Sequence, residues 1–429
     1  MEREADVVVI GAGIVGSAAA YFLARRGARV VVVERGRVPG EQSRKNWGFV
    51  RQQGRDPLEM PLVMEANRMW RGLEQELDAD VEWVQGGNLA LAADEPRMAR
   101  FEAWLPVARE FGLETRLLRA RELPTAVPGL GGTWAGGMHT PGDGHADPEK
   151  ATDAFARAAV AHGASLHLDC AVQRVVTQAG AVSGVVTERG EIGARAVVCA
   201  AGAWSSRLAR TLGLALPQRW VRGTVARTTS APAVTACAVW GPGVAFRQRR
   251  DGSFNIAAGG ALDHDVTLDS LRQIRFFLPN FWKNKALFRF HVGRPLLASL
   301  RAALPGSAAR RQPLVWDRAL EPAPNPAKVQ RSLGELQRVL PSLPPLGIVR
   351  AWAGYIDAAP DLVPVLGEAP SLKGFVLATG FSGHGFAMGP IAGRLVAELI
   401  VDGKTSLDIS GFRFSRFAEG AIGKPRNVL

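Results

Sequence analysis

The sequence contains little cysteine, tyrosine or lysine, and it has no long apolar run. Its three cysteines, Cys170, Cys199 and Cys237, show no paired spacing, which excludes a disulfide-stapled scaffold, and we predict no metal site. No apolar stretch reaches the roughly 18–20 residues that a membrane-spanning helix needs. The first residues enter a strand without the charged and apolar layout of a secretory signal. We therefore expect a cytoplasmic protein.

The composition is that of a globular chain with a large core. Apolar residues make up 47% of the 429 residues and charged residues 21%, which excludes disorder as the main state. The formal net charge of +12 comes almost entirely from arginine, since only eight residues are lysine. A basic surface attracts nucleic acid, anionic lipid or anionic substrates. No arginine cluster alternates with stacking aromatics in a recognisable module, so we predict no nucleic-acid partner.

The N-terminal residues form the pattern of a strand, a glycine-rich turn and a helix. Residues 6–10 (Asp-Val-Val-Val-Ile) are typical of a buried parallel strand, and they lead into a G-x-G-x-x-G sequence at 11–16. A predicted helix over 17–26 and a second strand over 28–33 complete a βαβ unit that ends at Glu34. The complete unit is a stronger signal than the glycine motif alone.

Each part of this unit suits a dinucleotide. Gly11 permits the tight turn, Gly13 lets the backbone approach a pyrophosphate, and Gly16 allows close helix packing. The start of the helix offers free N–H groups to phosphates. Glu34 is placed to accept hydrogen bonds from an adenosine ribose, which argues against a 2′-phosphate despite the neighbouring Arg35. The unit alone does not distinguish NAD from FAD.

Four later segments decide between these cofactors. They are Gly142-Asp143-Gly144-His145-Ala146-Asp147-Pro148, Ala200-Ala201-Gly202-Ala203-Trp204, Gly354-Tyr355-Ile356-Asp357-Ala358-Ala359-Pro360-Asp361 and Thr379-Gly380-Phe381-Ser382-Gly383-His384-Gly385. With the N-terminal motif, they make the chain resemble the FAD-dependent amine and D-amino-acid oxidoreductases of the sarcosine oxidase, glycine oxidase and D-amino-acid dehydrogenase type.

The resemblance implies an α/β fold, α+β overall, in which a Rossmann-like FAD-binding domain and a sheet-based substrate domain are interleaved in sequence. The predicted ranges are 1–50, 141–215 and 350–420 for the FAD-binding domain, 51–140 and 216–349 for the substrate domain, and 421–429 for a C-terminal tail. An Asp251-Gly252 turn also predicts a hairpin between residues 243–249 and 253–258. FAD is expected to be non-covalent, because Gly354 stands where some relatives attach it through cysteine.

The predicted cofactor contacts come from the fingerprint, the segment after the second strand and the later glycine-rich turns. They are Gly11, Gly13, Ile14, Val15, Gly16, Glu34, Arg35, Ser43, Arg44, Lys45, Asn46, Trp47, Gly48, Val172, Ala201, Gly202, Trp204, Gly354, Asp361, Gly380, Phe381, Ser382, Gly383, His384 and Gly385. Because Lys45 is the only lysine that we place near the flavin, oxidase and dehydrogenase chemistry both stay open.

The resemblance also implies the reaction. An amino acid or secondary amine loses hydride to flavin N5, and the resulting imine hydrolyses. Arg51 matches the position of an arginine that binds the substrate carboxylate in sarcosine-oxidase-like enzymes, and a guanidinium fork suits that role. Tyr355 and His384 are the other predicted catalytic residues, with a core aromatic and a turn histidine as the structural alternatives.

Two departures from the family pattern leave this carboxylate site incomplete. Ala387 stands where sarcosine-oxidase-like chains have a second carboxylate-binding lysine, and Ile356 stands where glycine-oxidase-like relatives have an arginine. Either Arg51 acts alone, or another arginine helps it, or the substrate is not a simple α-amino acid. The candidate helpers are Arg222, Arg247 and Arg350.

Residues 270–326 combine aromatic, basic and proline residues. One interpretation is a helix pair and a loop that cover the substrate pocket. The other is a contact with a membrane surface or a partner subunit, which would place the protein peripherally at the inner membrane face. The alternative function is therefore an FAD-binding subunit of a hetero-oligomeric or membrane-associated amine, opine or hydroxyproline-type dehydrogenase.

Overall fold

The computed structural model describes residues 2–260, 262–285, 288–315 and 321–426. The helices are α1 Ile14–Arg25, α2 Gln42–Lys45, α3 Met60–Glu76, α4 Glu95–Glu110, α5 Pro148–Ala161, α6 Ser205–Thr211, α7 Leu268–Arg272, α8 Ile274–Asn284, α9 Arg294–Ala302, α10 Ala308–Arg311, α11 Pro326–Val339 and α12 Gly385–Asp402. The strands are β1 Glu4–Ile10, β2 Val30–Val33, β3 Phe49–Val50, β4 Asn88–Ala92, β5 Arg116–Arg119, β6 Gly136–Thr140, β7 Gly144–His145, β8 Ser165–His167, β9 Val172–Gln178, β10 Ala181–Thr187, β11 Gly190–Cys199, β12 Arg219–Thr228, β13 Ala238–Trp240, β14 Ala245–Gln248, β15 Phe254–Ala257, β16 Leu262–Asp265, β17 Phe288–His291, β18 Ile348–Ala358, β19 Val365–Glu368 and β20 Phe375–Thr379.

An eight-stranded sheet forms the core of the first layer. Its order is β19-β20-β11-β1-β2-β8, with the β9–β10 hairpin added beside β11. The β1, β2, β11 and β20 strands run parallel, so their carboxyl ends meet at one edge. Their valine-rich sequences are buried on both faces, as expected of the interior of a parallel sheet. The predicted N-terminal βαβ unit is confirmed.

Helices α1, α3, α5 and α12 share one hydrophobic core with this sheet. Helices α1 and α12 pack with their backbones almost in contact, because a Cβ built on Gly393 would lie 2.5 Å from the backbone nitrogen of Ala19. The close packing fixes the start of α12 beside the glycine-rich turn before α1. Both segments thereby reach the same edge of the sheet.

A ten-stranded mixed sheet forms the second layer. Its order is β17-β16-β12-β15-β14-β13-β4-β6-β5, and β18 pairs along the length of β12. Strands β14 and β15 pair antiparallel across Asp251-Gly252, which confirms the predicted hairpin. The structure therefore has the mixed α/β class and the second sheet that the sequence predicts.

The predicted domain ranges differ from this sheet membership at two places. Strand β18 lies in the predicted FAD-binding range, but it pairs with β12 from Arg219 to Thr228 in the ten-stranded sheet. Helices α3 and α4 lie in the predicted substrate range, but their buried faces join the core of α1, α5 and α12. Apolar periodicity shows that a face is buried, and only the fold shows which layer covers it.

Among the described residues, no helix combines the length and the apolar character needed to cross a bilayer.

Candidate functional site

A cavity of about 420 Å³ lies where the carboxyl edge of the eight-stranded sheet meets the ten-stranded sheet. One wall is formed by the ends of β1, β2, β11 and β20 and by the start of α12. The opposite wall is formed by residues of β12, β13 and β18. Glu34 lines the cavity at the glycine-rich turn, and Arg51 lines it near Trp240 of the ten-stranded sheet, so the cavity borders both layers.

The part of the cavity near Glu34 has the shape of a dinucleotide site. Gly11 has a φ of +101°, and a Cβ there would lie 2.6 Å from the carbonyl oxygen of Ala200. A Cβ on Gly13 would lie 3.0 Å from the Ser43 hydroxyl oxygen. These glycines therefore allow close backbone approach at the start of α1, where phosphates bind favourably, and the Ser43 hydroxyl oxygen accepts from the Ile14 N–H there at 2.9 Å.

Glu34 also organises this turn. Its carboxylate accepts hydrogen bonds from the backbone N–H of Ala12 at 2.9 Å and of Gly36 at 2.9 Å. Nearby, the Arg35 guanidinium lies 3.2 Å from the centre of the Trp204 ring. The carboxylate thus supports the glycine-rich turn from the position at which the sequence predicts a ribose contact.

Most of the predicted cofactor residues line this cavity. They are Gly11, Gly13, Ile14, Val15, Glu34, Arg35, Ser43, Lys45, Asn46, Trp47, Val172, Ala201, Gly202, Trp204, Gly354, Phe381, Ser382, Gly383, His384 and Gly385. The structure brings them together from seven separate stretches of chain. The residues present therefore fit FAD.

Five predicted cofactor residues do not line the cavity. Gly16 faces the carbonyl oxygen of Gly11 within the turn, and the Gly380 N–H donates to the Asp357 carboxylate. The Arg44 guanidinium pairs with Glu321, and Gly48 packs against the Ala146 carbonyl and Arg247.

The fifth of these residues, Asp361, has a structural role. Its carboxylate forms a buried ion pair with Arg416, with an Nε–Oδ2 distance of 2.9 Å. Asp361 was predicted as a cofactor contact because it belongs to the 354–361 segment expected near the flavin. Arg416, which the sequence analysis did not consider, supplies the charge that holds it elsewhere.

A polar contact at the centre of the cavity was missed from the sequence. The buried Asp357 carboxylate accepts from the Gln42 side chain at 2.9 Å and from the Gly380 N–H at 2.9 Å. The Gln42 side-chain oxygen in turn accepts from the Ala203 N–H at 2.7 Å. Asp357 stands inside one of the motifs quoted above, so its acidic character was the available signal.

Arg51 lines the cavity and is only 6% exposed. Its Nη1 donates to the Gln53 carbonyl oxygen at 2.8 Å, and its guanidinium lies 5.4 Å from the centre of the Trp240 ring. Burial, and next the positive charge of Arg55, lower the pKa of Arg51 well below its usual value. The group is held in place but is poorly compensated by negative charge.

Arg55 also lines the cavity, and the sequence analysis did not identify it. It is 3% exposed, and its Nη1 is buried without a hydrogen-bond partner in the described part of the chain. The three arginines considered as helpers of Arg51 lie elsewhere: Arg222 pairs with Asp265, Arg247 donates to the Trp47 carbonyl, and Arg350 is exposed on β18.

His384 and Tyr355 line the cavity in different polar settings. The Nδ1 of His384 lies 3.0 Å from Oε1 of the buried Glu59, while burial and next the charge of Arg55 lower the pKa of His384 to about 4. His384 is therefore a neutral imidazole near pH 7. The Tyr355 hydroxyl donates to the Asp265 carboxylate at 3.3 Å.

Lys45 lies beneath Gly354, where a Cβ would come 2.8 Å from the Cβ of Lys45. Its ammonium is 2.9 Å from Glu41 Oε2 and 3.5 Å from Glu321 Oε1. These carboxylates offset the positive charge that the lysine brings to the cavity.

His145 beside the site predicts acid sensitivity. Burial, and next the charge of Arg247, lower the pKa of His145 to about 3. Below about pH 6.5, His145 therefore binds a proton in the unfolded chain but stays neutral in the folded protein. The free energy of unfolding falls as the pH drops. At pH 4.5 the free energy of unfolding is about 2–3 kcal/mol lower than at pH 7 because of this group. Asp143, with a pKa raised by burial to about 6, opposes the trend by about 2 kcal/mol.

Urea unfolding of wild-type and H145Q proteins at pH 7 and 4.5 tests this prediction. The glutamine amide can still donate to the Ala236 carbonyl that His145 Nε2 contacts at 3.1 Å, but it does not titrate. We expect H145Q to become more stable relative to wild type by about 2–3 kcal/mol between the two pH values. Equal pH dependence of the two proteins would contradict the prediction.

Comparison with known proteins agrees with this geometry. The family model of FAD dependent oxidoreductases (DAO) matches residues 6–399. The chain is 28% identical over 430 residues to mitochondrial sarcosine dehydrogenase of Homo sapiens, covering 98% of this chain and 42% of that protein. It is 25% identical over 434 residues to glycine oxidase of Geobacillus kaustophilus, covering 99% and 100% of the two chains.

A solved structure of L-amino acid deaminase from Proteus myxofaciens, in complex with anthranilate, superposes with a TM-score of 0.91 at 28% identity. It covers 97% of this chain and 94% of that one. The chain spans less than half the length of the human sarcosine dehydrogenase that it matches. The matched range includes both sheets and the cavity between them. The chain belongs to the DAO family of FAD-dependent oxidoreductases, and FAD is the family's cofactor.

Proposed function

We propose that this chain oxidises the C–N bond of a small amino acid whose carboxylate binds Arg51. The buried guanidinium of Arg51, which lines the cavity, carries the proposal. A buried cation without a carboxylate partner is costly, and a planar fork binds a carboxylate through two charge-assisted hydrogen bonds. The names of the relatives, sarcosine dehydrogenase, glycine oxidase and L-amino acid deaminase, support an amino-acid substrate.

The cavity wall beside Arg51 favours an apolar substituent on the substrate. Trp47, Phe49 and Trp240 line the cavity together with apolar residues of β12. The Trp47 and Trp240 rings are 4.7 Å apart between their centres. Apolar surfaces of this kind bind alkyl or aromatic groups by excluding water. The anthranilate in the related L-amino acid deaminase, an aromatic ring bearing a carboxylate and an amine, supports this assignment.

The protein's part in the reaction is to bind, orient and dehydrate the substrate. Bound FAD supplies the acceptor for the hydride that leaves the substrate carbon. Arg51 fixes the carboxylate while the apolar wall holds the substituent, so the carbon between them has one orientation. The amine must be neutral to lose hydride, and water then adds to the imine. His384, which is neutral near pH 7, adds no further positive charge beside that amine.

Anaerobic flavin bleaching tests the proposal. The holoprotein is mixed without oxygen with D- and L-amino acids, N-methyl amino acids and proline analogues. Each is paired with the amine that lacks the carboxylate, as phenylalanine is with phenethylamine. We expect bleaching by carboxylate-bearing members with apolar substituents. Equal bleaching by their decarboxylated partners would overturn the carboxylate site. Air is then readmitted. The reduced flavin of an oxidase turns yellow again quickly, whereas that of a dehydrogenase stays reduced.

We also propose that the surface formed by α7–α9 binds an anionic membrane, from which a quinone can accept the electrons. Exposed apolar side chains there lie among exposed basic ones: Leu271, Ile274, Leu278, Trp282, Val292 and Leu297 with Arg272, Arg275, Lys285, Arg289 and Arg294. Apolar insertion and attraction to anionic headgroups together give peripheral binding. This combination favours a lipid surface over a second protein subunit.

Vesicle sedimentation tests this surface. Holoprotein is spun with phosphatidylcholine vesicles that contain either no phosphatidylglycerol or about one third of it. We expect binding only to the anionic vesicles, reduced by W282S, since Trp282 is 70% exposed. V349S is the matched control, because Val349 is 65% exposed on β18 outside this surface. Absence of vesicle binding would leave the partner-subunit alternative.

A further inference from the structure

Arg51 and Arg55 form a pair of buried cations in the cavity wall. Both line the cavity, and they are 6% and 3% exposed. The Nε of Arg55 donates to the Arg51 carbonyl oxygen at 3.4 Å, so the two side chains start from the same short segment before α3. The positive charge of Arg55 acts on Arg51, and a bound anion would offset this repulsion between like charges in a dry site.

Among the described residues, the carboxylates nearest this pair, Asp143 and Glu59, act on it through space and form no ion pair with it. Asp143 accepts from the Gln52 backbone and side chain and from the Gln53 backbone, at 2.8–3.2 Å. Glu59 Oε1 accepts from His384, and Glu59 Oε2 is buried without a hydrogen-bond partner among the described residues. Among the residues that the structure describes, no carboxylate oxygen lies within 4.0 Å of the guanidinium nitrogens of Arg51 or Arg55. Within the described ranges, Arg55 Nη1 is a buried donor without a partner, on a residue that lines the cavity.

We propose that Arg55 is the second cation of a two-arginine site, in which Arg51 and Arg55 together bind one carboxylate of the substrate. The proposal rests on the proposed function and names the residue that completes the site. Arg55 supplies the charge that Ala387 and Ile356 cannot supply. A single carboxylate has enough acceptor positions for donors from both guanidinium groups.

The effect of replacing Arg55 on stability distinguishes a ligand-binding role from a structural role. A residue that is buried for stability destabilises the fold when it is removed. A buried cation that awaits a ligand does the opposite, because an apolar replacement removes an unpaired charge. We therefore expect R55M to leave the thermal midpoint of the ligand-free holoprotein unchanged or raised.

The test is a titration of holoprotein with benzoate, followed by the flavin absorbance, with benzamide as the uncharged probe of the same shape. We expect R55M to weaken benzoate binding by about 10- to 100-fold and to leave benzamide binding unchanged. R55K should retain part of the affinity, since it keeps the charge without the fork. R97M is the control, because Arg97 is a partly buried arginine near Arg51 that does not line the cavity.

The outcomes separate this inference from the proposed function. If R51M weakens benzoate binding and R55M does not, one arginine binds the carboxylate and the inference is wrong, while the proposed function stands. If neither variant changes benzoate binding, both the inference and the proposed function are wrong. If R55M weakens only glutarate, a dicarboxylate titrated in parallel, Arg55 binds a second carboxylate and the single-carboxylate site is wrong. A lowered thermal midpoint in R55M together with equal loss of benzoate and benzamide binding would assign Arg55 a structural role.

Discussion

Replacing Arg51 with methionine is expected to slow anaerobic flavin reduction by a carboxylate-bearing amine by about 100- to 1,000-fold, expressed as the reduction rate over the dissociation constant. The guanidinium is held by the Gln53 carbonyl and lies against the Trp240 ring, so it presents a fixed fork to the cavity. Methionine keeps the apolar contacts but removes the anchor that orients the substrate carbon. Stopped-flow absorbance with saturating FAD measures the effect.

The specificity for the carboxylate provides the control for this variant. The rate ratio of phenylalanine to phenethylamine should collapse toward one in R51M, while the slow reaction with phenethylamine itself should change little. R51K should recover part of the ratio, because a lysine keeps the charge but not the bidentate geometry. A proportional loss with both amines would mean that Arg51 positions the flavin rather than the substrate.

The part of the site closest to the N-terminus follows from local sequence. The strand, glycine turn and helix of residues 4–25 depend on β-branched runs, apolar spacing and glycine positions that lie within one short segment. The structure places Gly11, Gly13 and Glu34 together as that pattern predicts. A motif whose physics is local can be read without knowledge of the fold.

The part of the cavity around Arg51 and Arg55 could not be predicted in the same way. Arg55 stands four residues after Arg51 in a segment of turns, where an arginine usually lies in solvent. Its surroundings include α4 and the start of α12, which come from distant parts of the chain. The Trp104 indole donates to the Arg55 carbonyl oxygen at 2.9 Å, and the charge of Arg55 acts on His384. The sequence shows the spacing of the two arginines, but it does not show that the fold buries them.

Long-range pairing also explains the misplaced residues. Asp361 is adjacent in sequence to cofactor motifs, but Arg416, 55 residues later, holds its carboxylate. Strand β18 overlaps one of the quoted motifs, but ten of its eleven residues pair with β12 in the other sheet. Closeness to a motif in sequence therefore did not predict the location of a residue whose ion-pair partner or paired strand comes from a distant part of the chain.

Substituting Gly11 with alanine is expected to abolish stable FAD binding, with an affinity loss of at least about 100-fold. Gly11 combines a φ of +101°, which L side chains rarely adopt, with a Cβ position 2.6 Å from the Ala200 carbonyl oxygen. Relief of that clash must move the turn away from β11, and the turn is the surface on which the phosphates lie. The purified variant should be colourless, with a fluorescence titration of added FAD giving the affinity.

Gly27→Ala is the control for Gly11→Ala, because it introduces backbone strain without a steric clash. Gly27 has a φ of +79°, but a Cβ there meets nothing within 4 Å. G27A should therefore lose about 1–2 kcal/mol of stability through strain alone and bind FAD normally. If G11A and G27A bind FAD equally well, the turn tolerates a side chain, and the close approach of the Gly11 backbone to Ala200 is not what shapes the cofactor site.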